Sequence, residues 1–243
     1  MSRLTQAVVL LLFGGAVLRA SLTDLYLRYV KEGLRPFLIG AGLLLVATGL
    51  MTLWHSLRAP GTPSPAAGTE PDDGHGHSHE PRVGWLLILP VLGLLLVAPP
   101  ALGSFAAGKS GSVAAPAAES DYPPLPAGDP ASLSLLDYAS RALFDDGRSL
   151  TGRTLRMTGF ITPGADGSPM LARIVLTCCA ADGRPIKVGL TGRPPLEAAA
   201  NTWVEVTGVY STERAKDPVN DVDVAYFEVR NWQEIAQPKQ PYA

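Results

Sequence analysis

The sequence predicts a membrane anchor of three transmembrane α-helices joined to a C-terminal, mainly-β domain. Three apolar runs almost free of charge fall within the first 108 residues of the 243-residue chain. The remainder has the composition of a soluble domain, and its apolar residues alternate as they do in strands. We therefore divide the chain into a membrane domain over residues 1–105, a Pro/Ala/Gly-rich linker over 106–131 and a soluble β-domain over 132–243.

The three apolar runs are "LTQAVVLLLFGGAVL", "PFLIGAGLLLVATGLMTLW" and "VGWLLILPVLGLLLVAPPALGSFAAG". About 20 apolar residues are needed to cross the roughly 30 Å of hydrocarbon in a bilayer. The first run is short, but the side chain of Arg19 can snorkel to the headgroups and the residues beyond it can prolong the helix. The runs predict membrane helices over residues 4–22, 36–55 and 83–102.

A cleaved signal peptide is the alternative interpretation of the first run, because Arg3 supplies a basic n-region. No small-x-small cleavage site follows, since "VLRAS" puts Arg19 where a small residue belongs. Removal of the first run would also leave two further apolar runs in the product. The sequence thus predicts a multi-pass protein of the plasma membrane whose first partner is the lipid bilayer.

The segment between the first two helices, "RASLTDLYLRYVKEGLRP", is predicted to be helical, with Asp24, Arg28 and Glu32 four residues apart along one face. It is richer in basic residues than the segments on either side: Arg19, Arg28, Lys31 and Arg35. By the positive-inside rule it lies in the cytoplasm, and three crossings return the β-domain there as well. The competing arrangement, with the β-domain outside, rests on the Pro/Ala-rich linker, whose composition suits an extracytoplasmic stalk.

The soluble domain opens with "SLLDYASRALFDD", whose apolar residues lie on one stripe of a helix. Five strand-like segments separated by Gly, Pro, Asn or Asp turns follow: "RTLRMTGFIT", "MLARIVLTCCA", "PIKVGLT", "TWVEVTGVYS" and "VAYFEVRNWQEI". One short helix and five strands without βαβ alternation predict an OB-like five-stranded barrel, because a small closed sheet leaves few exposed edges.

Many OB folds bind nucleic acid, so the charge of this domain decides whether that function applies here. From Asp129 onward the chain carries 12 Lys or Arg and 14 Asp or Glu residues. A groove that binds the nucleic-acid backbone needs clustered positive charge, and a stacking platform needs aromatic residues, which are sparse. The sequence therefore predicts no nucleic-acid partner.

A histidine tract, "GHGHSHE", lies in the Pro- and Gly-rich segment over residues 58–82. His75, His77 and His79 are three of only four histidines in the chain, and acidic residues flank them. Imidazoles beside carboxylates suit Zn²⁺ or another divalent transition metal. Because the segment is too rich in Pro and Gly to fold alone, the tract predicts an exchangeable metal collector, and a polar spacer is the alternative.

The motif "CCAAD" contains the only two cysteines of the chain, Cys178 and Cys179. We predict both in a strand, so their side chains leave on opposite faces, one toward the barrel core and one toward the surface. Asp182 can add an oxygen ligand to the two thiols, which makes a metal site one interpretation. Packing of a small buried residue is the second interpretation, and a thiol redox function is the third.

An enzymatic function is not expected. All four histidines precede residue 80, so neither a Cys–His pair nor a Ser–His–Asp triad can form within the soluble domain. The Gly-containing segments "GSPMLAR" and "LTGRPP" lack the Walker pattern of a phosphate-binding loop. No cofactor is predicted apart from the metal.

Several features follow one another along the chain. Two N-terminal helices are followed by a His-rich loop, a third helix and a β-domain, and that domain contains the "CCAAD" motif, the "TWVEVTGVY" strand and a terminal "PKQPY". This arrangement resembles the YcgQ-type family along nearly the whole chain. The resemblance implies an accessory subunit of a two-component membrane permease that works beside a larger, polytopic permease subunit. A His-rich loop between membrane helices also resembles the metal-buffering loop of zinc transporters.

The alternative function is a membrane-anchored binding or scaffolding protein that takes no part in transport. In that case the β-domain recognises a protein or a small ligand, and the histidine tract is incidental.

Overall fold

The structure, a computed structural model, describes residues 3–58, 89, 93, 100–116 and 122–243. It divides into two compact units. The first unit comprises Met1–Tyr26 and Glu32–Pro99, and the second comprises Leu27–Lys31 and Pro100–Ala243. The predicted third membrane helix and the histidine-containing linker lie almost entirely outside the described residues.

The first unit contains two long helices, α1 over Arg3–Leu22 and α2 over Arg35–Arg58. Both are long and apolar enough to cross a membrane. Large apolar side chains are exposed along them, with Phe37 73% and Leu44 66% accessible on α2. A core helix of a soluble protein buries such side chains, so this exposure favours lipid-facing helices. The first two predicted helices are confirmed as helices.

Glycines allow α1 and α2 to pack closely against each other. A methyl group added at Gly42 would lie 2.8 Å from Cγ of Leu18, and one added at Gly49 would lie 2.9 Å from Cγ of Leu11. Small residues at such positions let two helix backbones approach, which is the usual way in which transmembrane helices associate. The two glycines are seven residues apart and therefore face α1 from the same side of α2.

The segment between α1 and α2 is not the continuous helix that the sequence predicts. Asp24–Arg28 and Glu32–Leu34 form short 3₁₀ turns, and Val30 between them makes an isolated antiparallel β-bridge with Cys179. Backbone groups of Tyr29 and Lys31 form hydrogen bonds with the backbone of Cys178–Ala180. Leu27–Lys31 accordingly belongs to the second unit. Hydrogen bonds to distant residues thus replace the local bonds that a helix requires.

The second unit is built on a closed barrel of five strands preceded by a short helix. After a two-residue strand β1, Ala131–Ser132, come the helix α4, Leu135–Phe144, and the barrel strands β2, Leu155–Pro163; β3, Pro169–Val175; β4, Arg184–Gly192; β5, Trp203–Lys216; and β6, Asp223–Glu234. The order around the barrel is β2-β3-β4-β6-β5, and β5 pairs again with β2. Only the β4–β6 pairing of the barrel is parallel. The predicted five-stranded barrel and its short helix are confirmed.

Closure depends on β2, which pairs with β5 along its first part and with β3 along its second. Phe160 lies where the two ladders overlap, opposite Trp203 on one side and Ala172 on the other. A methyl group at Gly159 would lie 2.6 Å from the carbonyl oxygen of Ala172. A glycine is therefore required where the backbone of β3 approaches β2 closely.

The core of the barrel is formed by buried residues of the strands together with the buried face of α4. Tyr138 of α4 is fully buried and donates a hydrogen bond to the carbonyl of Tyr226. Its ring packs edge-on against the ring of Phe227, with the two ring centroids 5.3 Å apart. Ser134 caps the helix by accepting a hydrogen bond from the N–H of Asp137 at 3.0 Å. The helix is thus fixed by its cap, its buried face and polar contacts to barrel strands, which include the hydrogen bond from Arg214 of β5 to the carbonyl of Ala142.

Part of the segment predicted as a linker is ordered on the outside of the barrel. Residues Ser104–Lys109 form a short helix, α3, whose Ala107 is fully buried in a cluster with Phe160, Ile174 and Trp203. The segment has few large apolar residues, but the small side chain of Ala107 fits into a cluster that includes Phe160 and Trp203. The second unit resumes at Pro100 and includes this segment.

The chain after α3 is held by a buried ion pair. Lys187 Nζ lies 2.9 Å from Asp217 Oδ2, and the two side chains are only 7% and 1% exposed. Lys187 also donates to the carbonyl of Ser110 at 2.9 Å, and Asp217 accepts the N–H of Ser112 at 3.0 Å. Burial raises the pKa of Asp217, but hydrogen bonds from Lys187 and from the Val219 and Ser112 N–H groups outweigh it and leave that pKa below its ordinary value.

Replacement of Asp217 by Asn is expected to lower the free energy of unfolding by about 3 kcal/mol, because it leaves the buried ammonium of Lys187 without a counter-charge. Asp223→Asn is the matched control, since its pair with Lys216 is more than half exposed on both sides and an exposed pair contributes less than about 1 kcal/mol. Denaturation of the detergent-solubilised protein measures both effects. Equal losses in the two variants would contradict this account of the ion pair.

The same ion pair has a predictable dependence on pH. Because the pKa of Asp217 is lower in the folded state, its contribution is complete above the ordinary carboxyl pKa and is lost as the pH falls through the folded-state pKa. The difference in unfolding free energy between the parent and Asp217→Asn should therefore shrink below about pH 4.

Candidate functional site

Two thiols and one carboxylate meet in the turn between β3 and β4. The ligand atoms of Cys178, Cys179 and Asp182 all lie within 4.8 Å of one another. Cys178 is exposed, while Cys179 and Asp182 are half-buried. They form the one group of three or more His, Cys, Asp or Glu side chains with metal-ligand spacing in the part of the chain that the structure describes.

The carboxylate of Asp182 organises this turn by accepting backbone hydrogen bonds. It receives the N–H of Thr177 at 2.9 Å, that of Cys178 at 2.8 Å and that of Cys179 at 3.3 Å. The short 3₁₀ turn Ala180–Asp182 brings the carboxylate back over these donors. Side-chain acceptors of this kind compete with the strand ladder for backbone N–H groups, so the strand ends before the cysteines.

The prediction that the cysteines lie in a strand with their side chains on opposite faces is wrong. β3 ends at Val175, and neither cysteine occupies the barrel core. Alternation applies only while the backbone remains extended, and the Asp182 hydrogen bonds turn it. The turn therefore brings both sulfurs to one cluster, where they lie as free thiols.

The electrostatics of the cluster keep the thiol protonated and the carboxylate ionised. Cys178 Sγ donates a hydrogen bond to Asp182 Oδ2 at 2.9 Å. This bond, with smaller contributions from Cys179 and from the negative charge of Asp182, raises the pKa of Cys178 to about 11. Hydrogen bonds from the Cys178 thiol and from backbone N–H groups lower the pKa of Asp182 to about 2. Nucleophilic thiols need a lowered pKa, so this environment does not favour the redox interpretation.

The donor set suits a borderline divalent metal. Zn²⁺ binds thiolate sulfur at about 2.3 Å and carboxylate oxygen at about 2.0–2.2 Å, so small side-chain rotations would bring all three donors into range. Cys178 and Cys179 would supply thiolates after losing their protons, and Asp182 would supply an oxygen. Three protein ligands leave a fourth tetrahedral position for water or an incoming donor, as in sites that exchange their ligand.

The other predicted ligands, His75, His77 and His79, lie outside the described residues. Their relation to the Cys178–Asp182 motif therefore stays a prediction.

Two features of the site were not predicted from the sequence. The backbone of Tyr29–Lys31, from the segment between α1 and α2, contacts the motif directly. A cavity of about 300 Å³ also lies outside the barrel, between the β2–β3 and β5–β6 connections and beside Lys187, Asp217 and Tyr226. A lysine between two apolar residues in "PIKVGL" marks an outward strand position, but no local pattern identifies its distant partner.

Asp182→Asn is expected to increase the rate at which iodoacetamide alkylates Cys178 at pH 8, on the order of tenfold. The amide removes the carboxylate that raises the pKa of Cys178, so a larger fraction of the thiol ionises. Both proteins carry Cys179→Ser, which restricts the reaction to one thiol, and a chelator removes metal. Asp166→Asn, in the β2–β3 turn, is the control and should leave the rate unchanged. An unchanged rate in Asp182→Asn would refute the role of the carboxylate.

Comparison with known proteins gives one match. Residues 140–243, which include the barrel and the Cys178–Asp182 motif, match the family model described as the DUF1980 C-terminal domain. No curated protein and no solved structure matched the chain. A DUF1980 C-terminal domain is therefore present, and this agrees with the YcgQ-type resemblance at the level of the C-terminal domain.

Proposed function

We propose that this protein is a non-enzymatic, membrane-anchored accessory subunit of a permease complex, and that its barrel carries an exchangeable site for Zn²⁺ or another divalent transition metal. The observation that carries the proposal is the convergence of Cys178, Cys179 and Asp182 within 4.8 Å. Soft sulfur donors beside one oxygen select a borderline metal over Mg²⁺ or Ca²⁺, which prefer oxygen ligands alone.

The protonation state of the motif suits exchange more than permanent binding. Metal must displace the proton that Cys178 shares with Asp182, so part of the binding energy is spent on deprotonation. Cys178 is exposed, which leaves the open coordination position accessible to a donor group. Such a site releases metal more readily than a closed, four-ligand structural site.

The membrane part of the proposal is supported by α1 and α2, which are long and apolar enough to cross a bilayer. The match to the DUF1980 C-terminal domain agrees with the YcgQ-type resemblance at the level of that domain, and the role of a permease subunit is what the resemblance implies. In this proposal the histidine tract over residues 75–79 collects metal, and the larger permease subunit carries it across the membrane.

The metal site is tested by titrating the detergent-solubilised full chain with Zn²⁺ against a chromophoric chelator. The chain carries His75→Ala, His77→Ala and His79→Ala, which isolates the barrel site. Adding Cys178→Ser or Cys179→Ser should weaken binding at least tenfold, because each removes a thiolate ligand. Thr177→Val is the matched control, since it changes an exposed neighbour but keeps the N–H that Asp182 accepts. Binding that survives both cysteine changes would disprove the site.

The permease partner is tested by affinity purification of the tagged chain from solubilised membranes of its native cells. A polytopic permease should be recovered in a stoichiometric amount, and its recovery should not depend on Cys178 or Cys179. Purification that recovers no polytopic protein would remove the subunit proposal while leaving the metal site standing.

A binding or scaffolding function is the second candidate, and the cavity beside Lys187 and Asp217 supports it. The cavity lies where two barrel connections meet the outer face of β4, a place at which OB-like barrels bind ligands. This function becomes the better account if the histidine and cysteine variants leave metal accumulation in cells unchanged.

A further inference from the structure

The cysteine motif is paired, within the second unit, with a short strand that is distant in sequence, Tyr29–Lys31, which we name the clamp strand. The N–H of Lys31 donates to the carbonyl of Cys178 at 3.1 Å, and the N–H of Ala180 donates to the carbonyl of Tyr29 at 2.7 Å. The two bonds are arranged as in an antiparallel pair of strands. The clamp strand therefore holds the backbone of the motif directly.

Together with the local turn, the clamp strand provides a partner for every backbone polar group of Cys178–Ala180. The carboxylate of Asp182 accepts the N–H groups of both cysteines. The N–H of Asp182 donates to the carbonyl of Cys179, and that of Gly183 donates to the carbonyl of Ala180. The clamp strand bonds the two groups that remain, one on either side of Cys179. Loss of the clamp strand would leave those two groups to find other partners.

The clamp strand is anchored by a buried side chain, Tyr242, which is only 7% exposed. Its hydroxyl donates at 2.8 Å to the carbonyl of Arg28, directly before the clamp strand, and accepts the N–H of Leu102 at 3.0 Å. The backbone of Tyr242 forms a parallel bridge with Ile174 of β3, and the N–H of Ala243 donates to the carbonyl of Ile174 at 2.8 Å. Tyr242 therefore links the clamp strand to the barrel.

The order of this turn matters for metal binding because the turn is not packed in the core. Cys178 is exposed and Cys179 is only half-buried, so hydrogen bonds fix the backbone there in place of apolar packing. Fixing the backbone of one residue changes an equilibrium constant by about tenfold. A metal that binds donors on an ordered turn does not meet that cost, and preorganised donors therefore bind more tightly.

We infer that the clamp strand and Tyr242 position the metal site: they hold the backbone of Cys178–Ala180 in the arrangement that brings the two thiols and Asp182 together, and they thereby strengthen metal binding. This role depends on the proposed metal function. Tyr242 acts through the clamp strand and is not itself a ligand. Because coupling between two binding equilibria is reciprocal, bound metal also holds the clamp strand on the motif.

The role of the clamp strand is tested by removing one of its backbone hydrogen bonds and measuring Zn²⁺ affinity. The detergent-solubilised full chain with His75→Ala, His77→Ala and His79→Ala is titrated with Zn²⁺ against a chromophoric chelator. Lys31→Pro removes the N–H that donates to Cys178, and it should weaken Zn²⁺ binding about tenfold. Lys31→Ala keeps that N–H and is the matched control, with the affinity of the parent.

Tyr242→Phe is the milder variant, because it removes the hydroxyl and keeps the buried ring. It should weaken Zn²⁺ binding by about threefold, the effect of one lost hydrogen bond. Asp217→Asn is the control for stability. It lowers the free energy of unfolding at the buried ion pair with Lys187 and should leave the Zn²⁺ affinity unchanged.

Hydrogen–deuterium exchange of the peptide that contains Ala180 measures the pairing itself, with or without metal. Exchange of this peptide should be faster in Lys31→Pro and in Tyr242→Phe than in the parent. In the parent it should become slower when Zn²⁺ is bound, because the coupling is reciprocal.

Exchange at the parental rate in both variants would overturn the clamp strand. Faster exchange with parental Zn²⁺ affinity would overturn its positioning role, and so would an equal loss of affinity in Asp217→Asn and Lys31→Pro. A parent chain that binds no Zn²⁺ would refute the proposed metal function, whereas binding that the clamp-strand variants leave intact would refute the positioning role alone. The two failures are therefore distinguishable.

Discussion

Closure of the barrel between β2 and β5 is the constraint on which the second unit depends. Because β2 pairs with β5 along its first part and with β3 along its second, every barrel strand has neighbours on both edges. Closure decides which side chains point inward to the core under α4 and which point outward. It also brings the β3–β4 and β5–β6 connections, with Asp182 and Asp217, to defined places on the surface.

Each of these two carboxylates organises a region much larger than itself. Asp182 accepts hydrogen bonds from three backbone N–H groups just after β3, which terminates that strand, and it keeps the thiol of Cys178 protonated beside Cys179. Asp217 compensates the buried charge of Lys187 and ties down the chain at Ser112. Each carboxylate accepts hydrogen bonds from backbone N–H groups. Asp182 also accepts one from the thiol of Cys178, and Asp217 also forms an ion pair with Lys187. Removal of either carboxylate therefore changes both the local geometry and the local charge.

The differences between prediction and structure have identifiable causes. The sequence "IVLTCC" continues an extended pattern, but Asp182, further along the chain, captures the N–H groups that the strand would have used. The α1–α2 segment has helical spacing, yet Tyr29–Lys31 bonds to Cys178–Ala180 instead. In the predicted linker, Ala107 is buried in a hydrophobic cluster that includes Phe160 and Trp203. In each case a partner distant in sequence or a side-chain acceptor outweighs local propensity.

By itself the sequence determined the two apolar helices, the short helix α4 and the five strands, because each of these follows from a local period of apolar residues. It also singled out Cys178, Cys179 and Asp182 by residue type. Only the tertiary structure decided that both thiols share one cluster, that Lys187 pairs with Asp217 and that Leu27–Lys31 belongs to the barrel unit. Those contacts join residues that are far apart in the chain. A local pattern of apolar residues contains no information about a partner that comes close only when the barrel closes.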